Sequence, residues 1–170
     1  MRPFLDQASM FPLAVPSMVL ALGLLWAYAG TWWVPVYGTI WILLIAYVTH
    51  YLPFGARAVA GGLRQLHPEL EEAARVSGAG WTRALRTVVL PLLWPTLAGV
   101  WTLVFVLALQ EVSASILLYT SRTTVLSVAV FDLWEAGNVN GLAALSVMQL
   151  IVTFAAIGVL TATRRREIPA

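Results

Sequence analysis

The feature that most constrains this chain is a charged island, PELEEAARVSGAGWTRALRTVVLP over residues 68–91, set between long apolar stretches. Glu69, Glu71 and Glu72 lie among Arg64, His67, Arg75, Arg83 and Arg86. Charge at this density stays out of hydrocarbon, because each ionised side chain costs free energy at membrane depth. The flanking stretches have the opposite requirement. The chain must therefore bury apolar helices on both sides of the island while the island itself remains in water.

Composition agrees. Of the 170 residues, 60% are hydrophobic and 11% charged, against about 25% charged in a soluble domain. A helix needs about 20 apolar residues to cross ~30 Å of hydrocarbon. Four segments come close: residues 13–29, 36–52, 92–118 and 142–162. The expected fold is all-α, a polytopic transmembrane helical bundle forming one domain over residues 1–170, with a cytoplasmic loop over 54–90. Pro16 sits near the start of the first span, Pro35 and Pro53 bound the second, and Pro91 and Pro95 set the entry angle of the third. Trp26, Tyr28, Trp32, Trp33 and Tyr37 gather around the first loop, as an interfacial anchoring belt does. The stretch VLSVAVFDLWEAG, residues 125–137, reads as a short helix on or dipping into the outer surface.

Orientation follows from arginine. All ten basic residues are Arg. With four spans, Arg2, Arg57, Arg64, Arg75, Arg83, Arg86, Arg164, Arg165 and Arg166 share one side, and Arg122 alone faces the other. The positive-inside rule then places both termini and the island in the cytoplasm. Arg2 is a lone charge with no small-residue cleavage site after it, so no secretory signal peptide is read. The chain has no cysteine, which removes disulfide and thiolate chemistry.

Within the island, Pro68 suits a first helical position and the three Glu residues fall in the first turn, where the helix dipole favours negative charge. Gly78 and Gly80 interrupt the run, and a second helical stretch, Trp81 to Val89, leads to Pro91. Two readings stand for such an element. A basic amphipathic helix lies on the inner leaflet with Arg on lipid phosphates. Alternatively the small residues Ala73, Ala74, Ser77, Gly78 and Ala79 admit the backbone of a protein partner.

The spacing goes further. Glu72-Ala73-Ala74, three residues, Gly78, nine residues, Val88, one residue, Leu90-Pro91 resembles EAA-x3-G-x9-I-x-LP, the signature loop of the inner-membrane permeases of bacterial binding-protein-dependent ABC importers. Only the Ile is replaced, by Val. The resemblance implies the MetI-like permease fold, with this loop forming a coupling helix that docks on a cytoplasmic ATPase subunit. Carried over, Glu72, Ala73, Ala74 and Gly78 form the docking core, and Arg75 and Arg83 offer charge beside it. It also implies an extracytoplasmic substrate-binding protein and a second permease half or subunit as partners, with no nucleic acid and no cofactor of the chain's own. Consistently, no GxxxxGK[ST] phosphate loop occurs, and a chain without Lys cannot make one. FPLAVPSMVLALGLLWAY and QEVSASILLY look like the iron(III)-type importer permeases. Those usually have two six-span halves in one longer chain, so the expectation is a C-terminal portion of a permease.

Polar groups inside the spans complete the reading. Gln110 and Glu111 come about 27 Å up the third span at 1.5 Å per residue, near the outer interface. Glu111 is either solvated there or faces, with Ser113 and Ser115, a translocation path where a carboxylate contacts a cationic or metal-bearing solute. Thr49 and His50 read as interfacial, since a metal site needs several converging ligands. Asn138, Asn140 and Gln149 read as turn and helix-packing residues. No Asp, Glu or His cluster has catalytic or metal-ligand spacing, so no enzyme is expected. Two rival classes remain. An autonomous secondary transporter or channel needs a charged path through the spans. A membrane-embedded enzyme needs converging catalytic groups at one depth.

Overall fold

The structure is a computed structural model that describes residues 10–31, 34–66, 76 and 80–166. Every regular element among the described residues is helical. In chain order these are α1 (Phe11–Ala14), α2 (Ser17–Tyr28), α3 (Ile40–Gln65), α4 (Trp81–Leu109), α5 (Ser113–Leu118), α6 (Leu126–Glu135) and α7 (Val139–Arg166). Three of them are long and apolar enough to cross a membrane: α3, α4 and the Val139–Ala162 part of α7.

The stretch expected as the first span is divided. Val15 is extended (φ −97°, ψ 122°) and separates α1 from α2. The cause is local: the ring of Pro16 disfavours helical geometry in the residue before it. The 12 residues of α2 rise about 18 Å, well short of the ~30 Å hydrocarbon layer.

The second stretch differs in the other direction. Pro53 was expected to end it, yet α3 runs on to Gln65 with Pro53 buried inside. An interior proline loses one backbone hydrogen bond and strains the turn by about 3 kcal/mol or more. Contacts on both sides of Pro53 hold α3 against α4. Tyr51 meets Leu107, and Gly62 lies so near Leu93 and Thr96 that a Cβ there would come within 3.0 and 3.1 Å of them. At the other end Thr39 caps α3, its Oγ1 accepting the Trp41 N–H at 3.3 Å.

The third stretch both starts earlier and stops earlier than expected. From Trp81 the chain is continuously helical through Pro91, but residues 85–89 form a π turn in which the Leu90 N–H bonds the Leu85 carbonyl. Pro91 has no N–H to continue the α ladder, and a wider turn just ahead of it accommodates the loss. The helix ends at Leu109, and residues 110–112 are unwound before α5.

The 125–137 stretch is the helix α6 followed by a glycine cap. Gly137 has φ +68°. Its N–H bonds the Trp134 carbonyl, and the Asn138 N–H bonds the Leu133 carbonyl. That pair of bonds is a Schellman motif, which needs a left-handed residue at Gly137. The next residue starts α7: Asn138 Oδ1 accepts the Gly141 N–H at 2.9 Å. The best-enclosed apolar cluster joins α2, α3 and α5 through Ala21, Ile42, Leu43, Ala46, Ala114 and Leu118. It lies beside the unwound turn and fixes α5 against the two helices that flank it.

Candidate functional site

The unwinding of α4 is where polar side chains converge. A helix end leaves four carbonyls without helical partners, and in a bilayer each costs several kcal/mol if unsatisfied. Here other helices supply donors. The Tyr51 hydroxyl of α3 is 3.3 Å from the Leu107 carbonyl. Gln149 of α7 donates from Nε2 to the Leu109 carbonyl at 3.1 Å. The Glu111 carbonyl accepts from Ser115 Oγ and, at 2.8 Å, from Ser127 Oγ of α6. The chain itself contributes the Gln110 N–H to Leu107 and the Glu111 N–H to Ala108, closing tight turns.

The Glu111 carboxylate is the centre. Its Oε1 accepts the Ser17 hydroxyl at 3.0 Å and the Ala114 N–H at 3.1 Å. Its Oε2 accepts the Tyr51 hydroxyl at 2.7 Å. Tyr51 has one hydroxyl proton and two acceptors, and the shorter, charge-assisted bond to Glu111 holds it. A second tyrosine one turn earlier, Tyr47, lies 2.6 Å from Ser115 Oγ. Since Ser115 gives its proton to the Glu111 carbonyl, Tyr47 is the donor in that pair. Ser17 opens α2 and Ala114 lies in the first turn of α5. The carboxylate thus sits at two helix N-termini, where the helix dipole favours an anion.

Depth follows from these contacts. Tyr51 lies about 17 Å along α3 from Ile40 at 1.5 Å per residue, roughly midway in a helix of 26 residues. Glu111 is bonded to it and therefore sits near mid-depth of α3.

Of the residues expected along a solute path, Glu111 is half-buried in this network, Ser115 is fully buried with its hydroxyl engaged, and Ser113 is exposed at the start of α5. Of the expected docking residues, Arg83 is exposed in the first turn of α4. Glu72, Ala73, Ala74, Arg75 and Gly78 lie outside the described residues. His50 packs its ring edge-on against Tyr51 at 5.0 Å, and its buried Nδ1 has no hydrogen-bond partner among the described residues. No group of three or more His, Cys, Asp or Glu that could hold a metal is present among the described residues.

Ser17, Tyr47, Tyr51 and Ser127 were not singled out from sequence. One signal was available: Tyr47 and Tyr51, four residues apart, share a face of an apolar helix. Each needs a hydrogen-bond partner when buried.

Comparison with known proteins places this architecture. The profile of the family described as binding-protein-dependent transport system inner membrane component matches residues 2–166. The chain is 32% identical over 153 residues to a Salmonella paratyphi A protein provisionally named as the 2-aminoethylphosphonate transport system permease protein PhnV, covering 89% of this chain and 57% of that one. It is 32% identical over 122 residues to the Fe(3+)-transport system permease protein FbpB 2 of Haemophilus influenzae, covering 70% of this chain and 23% of that one. It is 30% identical over 164 residues to a Chlorella vulgaris protein provisionally named as the sulfate transport system permease protein cysT, with coverages of 89% and 61%. The chain therefore spans a little over half the length of PhnV and cysT and about a quarter of FbpB 2. With a family profile covering nearly all of it and an all-helical, multi-pass architecture to match, the chain belongs to the inner-membrane components of binding-protein-dependent transport systems.

Proposed function

We propose that this chain forms part of the membrane path of an ABC importer and is driven by a separate ATPase subunit docked on the 69–90 loop. The observation that carries this reading is the spacing Glu72-Ala73-Ala74, Gly78, Val88, Leu90-Pro91 in a chain of this family. ATP binding closes the ATPase pair, the docked loop moves with it, and α4 transmits the displacement as a rigid body. The solute is delivered by an extracytoplasmic binding protein. Glu111, Ser113 and Ser115 belong to its path, and a second permease half or subunit completes it. A relative named for Fe(3+) transport supports an iron(III)-type solute. Others are named for 2-aminoethylphosphonate and sulfate. Nine of ten arginines fall on one side if α1 and α2 together form a broken first span. That arrangement puts both termini in the cytoplasm of the inner membrane.

Co-purification from native membranes tests the docking. An ATPase is expected to accompany the wild-type chain and to be lost from Glu72→Arg and Gly78→Trp. Retained ATPase in both variants overturns the assignment. An autonomous transporter or channel has no need of the ATPase, so transport by the purified chain without ATP would favour that rival.

A further inference from the structure

Two separate helix breaks meet at one carboxylate. The first, at Val15–Pro16, divides α1 from α2. The second, at residues 110–112, divides α4 from α5. They are far apart in sequence, yet Ser17, the first residue after one break, donates to Glu111 inside the other. Between them stands the unbroken α3, whose Tyr51 holds the second carboxylate oxygen. Broken backbone at membrane depth is tolerated only where protein or a water-filled path satisfies it. Here one ionisable side chain joins both breaks.

We infer that Glu111 is a latch. Its carboxylate clamps the α1–α2 break against the α4–α5 break in the closed path, with Ser17 and Tyr51 as positioning residues, and passage of solute requires the latch to release. This deepens the path reading above and rests on it. The geometry favours a latch over a solute ligand. Both carboxylate oxygens are already occupied, by one backbone and two side-chain donors. The Tyr51 proton also has a second acceptor at hand in the Leu107 carbonyl, so release leaves the Tyr51 hydroxyl paired. Ser127 and Ser115 hold the Glu111 backbone carbonyl independently of its side chain. The turn can therefore open at the carboxylate without unravelling.

The absence of cysteine from the chain makes the test direct. In the assembled transporter, Ser17→Cys with Val112→Cys, the residue beside Glu111 in the unwound turn, joined by a short cleavable bis-thiol crosslinker, is expected to lower transport at least tenfold. Transport should return on cleavage while the ATPase stays bound throughout. Tyr51→Phe and Glu111→Gln, which delete one hydroxyl and one charge, are expected to raise ATP hydrolysis several-fold in the absence of binding protein. A second arm needs no ATPase. Ala21→Cys places a small thiol in the buried cluster that joins α2 to α5, and in membranes its modification by a water-soluble maleimide is expected to quicken several-fold when Tyr51→Phe is added. Unchanged transport after crosslinking overturns the latch, as does an unchanged maleimide rate. If Glu111→Gln raises only the solute concentration for half-maximal transport, leaving basal hydrolysis unaltered, Glu111 is a solute contact and the latch is likewise overturned. Loss of the ATPase from the wild-type preparation would instead count against the docking reading, and the maleimide arm would still decide the latch.

Discussion

A carboxylate held inside a helical bundle needs donors for both of its oxygens, and Glu111 obtains them from Ser17, Tyr51 and the Ala114 amide. It stood out in the sequence as a rare acid within an apolar stretch. Its partners did not, because Ser17 and Tyr51 are remote in sequence and neither residue type is unusual in a span. Packing at Gly62 was equally hidden, since a glycine in a helix announces no neighbour. Gly62→Val is predicted to destabilise the α3–α4 crossing by about 1–3 kcal/mol, the cost of overpacking. A lower thermal midpoint in detergent would show it, and Gly61→Val, where a Cβ meets nothing within 4 Å, is the matched control. His50 offers the opposite case. An unsatisfied buried donor or acceptor costs about 1–3 kcal/mol, so His50→Phe, which keeps the edge contact with Tyr51 while removing Nδ1, is predicted to leave the midpoint unchanged or raise it.

At the scale of elements, proline was read correctly as punctuation but not always as the right mark. Pro16 does divide the first apolar stretch, through the extended Val15. Pro53 leaves α3 intact, because the tertiary contacts at Tyr51 and Gly62 outweigh one lost backbone bond. Pro91 widens its helix into a π turn instead of starting it. Local sequence states what a proline removes; only the neighbouring helix decides whether the chain bends, widens or continues. Pro91→Ala restores an N–H opposite the Thr87 carbonyl. The π turn over 85–89 is then predicted to relax to an α turn, rotating Trp81–Arg86 by about 100° relative to the span, one residue's worth of a 3.6-residue turn. Spin labels at Arg83 and Thr102 would report the changed distance in wild-type and variant chains. An identical distance distribution would refute the relaxation.

For the whole molecule, hydropathy located the apolar regions, while the way the helices share their faces required the structure. The spans α4 and α7 enclose between them an apolar groove of about 840 Å³ lined by residues such as Trp94, Ala98, Trp101, Phe105 and Ala155. Trp101 and Phe105 stack along its wall with ring centroids 5.2 Å apart. Periodicity showed no such groove, because both helices are apolar on every side. Topology is the prediction that belongs to this scale. Arg122→Cys is expected to react with a membrane-impermeant maleimide from outside intact cells, and Thr163→Cys only after the membrane is opened. Equal reaction of both from outside would reverse the arginine-based orientation.

The joint between the two breaks has a consequence for biogenesis. Ser17 and Glu111 are 94 residues apart, so the N-terminal helices are synthesised and threaded toward the bilayer long before their partner exists. Until the α4–α5 turn emerges, Ser17 has no carboxylate to meet and α2 has only α3 to rest against. Closing so long a loop carries an entropic cost, and the bonds at Glu111 come late enough to fasten helices that are already inserted. A nascent chain arrested before Glu111 should therefore hold its first apolar stretch loosely, open to extraction or to quality-control proteases. One extended past Ser127 should hold it fast.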